Sequence, residues 1–305
     1  TLLVEQNIEY RLWEQRAELA RTDRERLEHL RESTRTRLAE RNAWRRSSLC
    51  AAVTRDDLEV IDRDEPGRTR LVPDGFDHST VLASGRPSEG LRFSSRPRVL
   101  YVGNFDYWPN VDAVRFLTSE ILPLIRRAEP DVELWLVGNA PPSEISCLHD
   151  GRSIHVTGRV DDLGPYLRSA AVCIVPLRVG GGIKVKVLEA LRFGKAIVST
   201  PIGLQGLPDH AGLPVSDRAT GLARATTALL RDPGMRLAAE AAAQRIAGKL
   251  PSWDDAAAAL LSSYEEIALR TVGNGFNGRR SDRDVLRTAD GAAFAGVRSN
   301  RRLRR

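Results

Sequence analysis

VGGGIKVKVLEALRFGKAIVSTPIGLQGL, residues Val179 to Leu207, comes directly after the apolar run AVCIVP, Ala171 to Pro176. Val185, Leu188, Ala190 and Leu191 recur at helical spacing behind three glycines, so the segment is expected to form a strand, a glycine turn and a helix. Glycines at that place let the backbone approach a ligand closely. The free N–H groups and positive dipole end of the helix that follows favour an anion, for which phosphate is the natural candidate.

Strand, glycine and helix turns occur throughout doubly wound proteins without any ligand, so the turn alone does not establish a site. Lysine placement supplies the second signal. Of 46 Lys plus Arg, only Lys184, Lys186, Lys195 and Lys249 are lysines, and two of them stand at the start of this helix. Cations there oppose the macrodipole, and the arrangement makes sense when an anion is held between the glycines and the ammonium groups. Glu189, further along the same helix, adds a carboxylate able to accept bonds from vicinal hydroxyls such as those of a ribose.

Three further fragments stand in order with this stretch: RVLYVGNFDYWPNVDAV from Arg98 to Val114, VTGRVDDL from Val156 to Leu163, and KAIVSTPIGLQGL from Lys195 to Leu207. Together they resemble the nucleotide-sugar domain of family 4 glycosyltransferases, in particular the branch reading PNVDA and GGGxKxKxLEA. The resemblance implies a GT-B fold, that is, an α/β architecture of two facing Rossmann-like domains with doubly wound parallel sheets. It also implies sugar transfer, of hexosyltransferase type and with retention, from a nucleoside-diphosphate-sugar donor to a saccharide or lipid-linked acceptor in polysaccharide biosynthesis. Carried over position by position, the donor-binding set is Gly103, Asn104, Arg159, Val160, Gly181, Gly182, Lys184, Lys186 and Glu189. Arg159 and Val160 would present backbone groups to the base. The amides at Gly181 and Gly182, with Lys184 or Lys186, would stabilise the departing diphosphate. No cofactor or metal enters this scheme.

The chain departs from the family in three places. Counting back from Glu189 to the family's usual first glutamate reaches Gly181, so only the second is present. The loop from Gly103 to Asn110 holds neither Arg nor Lys, where many members direct both at the diphosphate, which leaves the charge to Lys184 and Lys186. Where the first domain often supplies a histidine near the reacting sugar, the matching position is Gln6, so no catalytic residue is assigned.

A chain of 305 residues, 42% hydrophobic and 28% charged, has room for two ordinary domains of globular composition. No run approaches the roughly 18 apolar residues of a membrane span. Cys50, Cys147 and Cys173 are scattered, with no CxxC and no His at metal-ligand spacing, which favours a reduced, cytoplasmic setting without structural zinc. The formal charge of +6 sits wholly in residues 271–305, where nine Arg face three Asp. No basic face with stacking aromatics precedes it, so nucleic acid is not an expected partner. The tail reads as disordered, and two readings stand for it: a solvated tail with no role, and a peripheral contact with the anionic inner face of a membrane.

Along the chain, residues 1–5 read as a strand and Arg11 to about Trp44 as one long, highly charged helix with Leu12, Ala17, Leu19, Leu27, Leu30 and Leu38 as its apolar points. Strands follow at Leu49 to Thr54 and Thr69 to Val72 around a short helix from Arg55 to Ile61. Ser79 to Pro97, rich in Ser, Pro, Gly and Arg, reads as a linker. The resemblance thus implies that residues 1–97 are a partial acceptor-side domain, starting in the family's middle and expected to be without its leading strands. Residues 98–270 read as the donor domain, with alternating strands and helices, a strand at Leu213 to Val215, caps at Asn110 and Asp112, and closing helices; the resemblance implies that the last of these braces the first domain, for which Trp253 and Tyr264 are suited. His149, His155 and His210 read as structural, and Phe105, Tyr107 and Trp108 as packing. The alternatives are a nucleotide-sugar-binding module inactive in transfer because its first domain is incomplete, and a GT-B nucleotide-sugar epimerase. A nicotinamide enzyme is disfavoured, since no GxGxxG follows the first strand of either domain.

Overall fold

The computed structural model describes residues 1–79 and 93–275. Two parallel sheets run through it. In the first, β1 (Leu2–Glu5), β2 (Leu49–Ala52) and β3 (Thr69–Leu71) pair in sequence order, with Leu2 opposite Leu49 and Cys50 opposite Thr69. Helices α1 (Glu9–Glu18), α2 (Asp23–Arg46) and α3 (Arg55–Asp64) connect them. Ile8, Tyr10, Trp44, Cys50, Ala52 and Ile61 form the core of this lobe.

The single helix expected from Arg11 to Trp44 is two antiparallel helices. Thr22 begins the second by accepting the Glu25 N–H, while the Glu25 carboxylate accepts from the Arg21 N–H. This capping starts the second helix at Thr22, three residues beyond Leu19, the C-cap of the first. Folding back brings the Glu40 carboxylate to the start of α1, where it accepts from the backbone N–H groups of Glu9 at 2.7 Å and Tyr10 at 3.2 Å. These donors have no partner within their own helix. Leu27 and Leu38, expected as apolar anchors, remain exposed.

The second sheet holds β4 (Arg98–Val102), β5 (Glu133–Val137), β6 (Ile154–Val156), β7 (Val172–Val175) and β8 (Ile197–Ser199) in the order β6-β5-β4-β7-β8. β5 and β7 are buried along their whole length, as in a parallel sheet covered on both faces. α4 (Trp108–Phe116) passes through a π turn (Leu117–Ile121) into α5 (Leu122–Ala128). Then come α6 (Ser143–Ser146), α7 (Gly164–Ser169), α8 (Val185–Arg192), α9 (Pro201–Leu204), α10 (Ala219–Arg231) and α11 (Pro233–Ala247). The last helix, α12, spans Trp253–Gly275.

Three local expectations are corrected. Leu213 to Val215 makes a single bridge, Val215 to Ser199, rather than a strand. α4 starts at Trp108 with Pro109 in its first turn, which suits a proline, so Asn110 and Asp112 lie inside the helix and do not cap it. On α8 the buried positions are Val187, Ala190 and Leu191, whereas Val185 is 66% exposed.

By its contacts the chain divides into two compact units, Thr1–Ser263 and Tyr264–Arg305. The first contains both sheets. Within it, the segment after β3 meets the start of α12: the Phe76 N–H donates to the Pro251 carbonyl at 2.8 Å, and Trp253 lies against Gly75. The described part of the second unit is the outer half of α12, where Arg270 pairs with Glu266. That helix continues to Gly275, so the first five residues assigned to the tail are helical. The rest of the tail, and most of the linker expected at Ser79 to Pro97, lie outside the described residues.

Candidate functional site

In an open parallel sheet, a ligand crevice forms outside the carboxyl ends of the strands where the strand order reverses. Here the reversal falls between β4 and β7. A cavity of about 490 Å³ opens there, lined by the ends of these strands and their neighbours: Gly103 and Asn104 after β4, Gly138 and Asn139 after β5, Arg159 and Val160 after β6, and Gly180 and Gly181 after β7. The first turns of α8 add Lys184, Lys186 and Glu189. Of the nine donor-site residues read from the sequence, eight line this one cavity, and Gly182 lies beside it in the same turn.

No side chain caps the start of α8. Its N-terminal amides are therefore not taken up by a cap, and the cavity adjoins the positive end of the helix. The two lysines there behave differently. Lys184 Nζ turns back on its own loop and donates to the carbonyls of Gly181 at 2.9 Å and Gly182 at 2.7 Å. Burial lowers its pKa to about 8, against the opposing pull of Asp57 and Asp56. Lys186 Nζ instead reaches across to β4 and α4, where it donates to Tyr101 Oη at 2.9 Å and to Asn110 Oδ1 at 2.5 Å, over the face of the Tyr101 ring. Burial, with Lys184 as a like charge, lowers its pKa to about 7. No ion pair involves it among the described residues. A half-buried cation without an acid carries a desolvation cost that a bound anion would offset.

This contact also bears on the missing basic residues between Gly103 and Asn110. Lys186 brings an ammonium group to that loop from the opposite side, held by Asn110, whose Nδ2 in turn donates to the Asn104 carbonyl at 2.7 Å. Tyr101, Asn110, Tyr107, Gly180 and Ile183 were not singled out as site residues from sequence. Tyr101 did carry a signal, since a tyrosine in the middle of a buried strand requires a partner for its hydroxyl. Asp112 receives both arms of Arg178 at 3.0 and 2.5 Å, pinning the chain between β7 and the glycine turn to α4.

Of the residues read as structural or packing, Tyr107 instead lines the cavity, while four others have structural contacts. His155 stacks on Trp135 with centroids 4.3 Å apart, and His149 Nδ1 accepts from the Val156 N–H. Phe105 is buried, and Trp108 lies under the guanidinium of Arg16. Gln6 and Asn7, after β1, lie against the glycine turn. All three cysteines are free. Among the described residues no group of three His, Cys, Asp or Glu side chains is placed to hold a metal, and no helix is long and apolar enough to cross a membrane.

The fold is that of the GT-B glycosyltransferases. Sucrose-phosphate synthase from Thermosynechococcus elongatus superposes with a TM-score of 0.64 at 23% identity, covering 88% of this chain and 68% of that one. HepE from Anabaena, in complex with UDP and glucose, gives 0.56 at 15% identity over 89% and 71%. WaaG, a glycosyltransferase involved in lipopolysaccharide biosynthesis, gives 0.57 at 16% identity over 85% and 73%. Residues 96–232 match the family described as Glycosyl transferases group 1. An uncharacterized 44.6 kDa protein in the cps region of Klebsiella pneumoniae is 29% identical over 122 residues, which are 37% of this chain and 31% of that protein. The chain thus matches about a third of that relative's length.

Proposed function

We propose that this chain binds a nucleoside-diphosphate sugar in the cavity between β4 and β7 and belongs to an enzyme that transfers the sugar to a saccharide or lipid-linked acceptor. The observation that carries this reading is the convergence on one cavity of the uncapped α8 N-terminus, the glycine turn and the ammonium of Lys186, which has no acidic partner among the described residues. These groups suit a diphosphate, and a leaving diphosphate gains charge as the sugar departs, so the same donors would stabilise the transition state. Glu189 is assigned to the ribose hydroxyls, and Arg159 and Val160 to the base. Retention of configuration, a role in polysaccharide biosynthesis and a cytoplasmic setting, with the basic tail against the inner membrane face, complete the proposal. HepE was solved with UDP and glucose, and the Klebsiella relative comes from a cps region; both support it.

The test is calorimetric titration with UDP, GDP and ADP, followed by incubation with the labelled sugar conjugate of whichever binds. Binding by one of them is expected. Failure of all three to bind at millimolar concentration would refute the donor site.

A further inference from the structure

The glycine turn is held from the other lobe. Gln15, on α1, accepts the Gly180 N–H at Oε1 over 2.8 Å and donates from Nε2 to the Gly180 carbonyl over 3.3 Å. One side-chain amide therefore satisfies both backbone groups of a single residue that lies 165 positions away. The next two glycines meet the same lobe: a Cβ on Gly181 would stand 2.9 Å from Asn7 Cβ, and one on Gly182 would stand 2.1 Å from the Gln6 carbonyl oxygen. On its far side the turn is tied down by Lys184, through the carbonyls of Gly181 and Gly182.

We propose that Gln15 is a positioning residue for the anion site, setting the glycine turn from the first lobe so that its amides face the bound diphosphate. This rests on the donor-site reading above. Among the described residues the cavity is lined by positions between Val102 and Glu189, so the first lobe acts on it through this clasp rather than by touching the ligand. An amide is suited to the task because it places an acceptor and a donor side by side. A carboxylate would repel the Gly180 carbonyl, and an aliphatic side chain would leave both backbone groups unpaired. Gln15 thereby makes nucleotide affinity depend on how the first lobe is seated.

Gln15→Leu and Gln15→Glu test the inference by calorimetry with the nucleoside diphosphate that the unaltered chain binds. Gln15→Leu should weaken binding about tenfold, equivalent to about 1.4 kcal/mol, and speed amide exchange at residues 180–182. Gln15→Glu should be as weak near pH 7.5. It should recover towards pH 5 as the introduced carboxyl gains a proton and regains a donor beside its acceptor. Lys184 stands beside Gly180 and is coupled to Asp57, Asp56 and Lys186, so each affinity is read as a ratio to the unaltered chain at the same pH, and a Gln15→Glu/Lys184→Met double variant against Lys184→Met separates the clasp from charge coupling to Lys184. Thermal unfolding at each pH confirms that the variants are folded. Equal affinity of all three proteins, or a Gln15→Glu ratio that stays flat with pH, overturns the clasp. Absence of nucleotide binding by the unaltered chain overturns the donor-site reading itself.

Discussion

Lys186 donates to the phenolic oxygen of Tyr101 at 2.9 Å, joining the first turn of α8 to the central strand of the larger sheet. The half-buried ammonium group meets only neutral oxygens among the described residues, and its pKa falls from 10.5 to about 7. A diphosphate in the cavity would reverse that shift by supplying the missing negative charge. The complex then holds a proton that the free protein releases above pH 7. Affinity for a nucleoside diphosphate is therefore expected to fall as pH rises from about 7 to 9, by up to about tenfold per pH unit for one linked proton. Without ligand the sign is opposite. Between pH 7 and 10.5 the unfolded chain keeps a proton on this lysine that the folded chain has lost, so this group makes the free protein more stable as pH rises. Calorimetry in buffers of different ionisation enthalpy should show proton uptake on binding at pH 8, and binding without proton exchange there would refute the assignment.

The two lysines should separate by mutation. Lys184 is committed to the Gly181 and Gly182 carbonyls, while Lys186 has its charge unmatched. Lys186→Met is expected to cost nucleotide binding about 1.5–3 kcal/mol, the range of a hydrogen bond to a charged group, and to abolish the pH dependence above. Lys184→Met should cost less in binding and more in thermal stability, because it frees the turn. The reverse ranking in a paired titration and melting series would assign the phosphate to Lys184.

Much of this site was legible in the sequence because its parts are local. The strand, the glycines and the lysines of residues 171–192 lie in one segment, and glycine before a helix has few physical explanations. Other features were hidden because they depend on pairs far apart in the chain. Nothing local to Gln15 indicates Gly180, and nothing in the run from Arg98 to Val102 announces that Tyr101 receives Lys186. The break in the first long helix has a local signal, since Thr22 followed by Glu25 is a capping signature, but continuous charge spacing on both sides masks it. Asn110 and Asp112 misled in the opposite sense. They are good cap residues by type, but Pro109 moves the helix start upstream and releases them to bind the Asn104 carbonyl and Arg178.

Glu189 lines the cavity without an ion pair among the described residues, and a lone carboxylate beside two lysines makes a poor cation site. Glu189→Gln should lower nucleotide affinity by about 0.5–1.5 kcal/mol, the value of an ordinary hydrogen bond, with a smaller loss for the 2′-deoxy nucleotide. EDTA should leave binding unchanged. Loss of binding on chelation would replace the ribose role with a metal.

The contact between the lobes can be measured at Gly182. Its φ is +62°, a conformation that costs a residue with a Cβ about 1–2 kcal/mol. A Cβ there would also stand 2.1 Å from the backbone oxygen of Gln6. Neither side yields easily: Gln6 follows directly on β1, paired along its length with β2, and the turn is held by Gln15 and Lys184. Gly67 provides the comparison, since its φ is +71° and a Cβ on it would meet nothing within 4 Å. Gly67→Ala should therefore show the backbone cost alone, while Gly182→Ala should add a steric cost that is relieved by moving the first lobe away from the turn. Expected results are a larger fall in melting temperature for Gly182→Ala than for Gly67→Ala, faster proteolysis within residues 1–79, and weaker nucleotide binding for Gly182→Ala only. Equal losses in the two variants would mean that the lobes part without cost and that the glycine turn keeps its shape unaided.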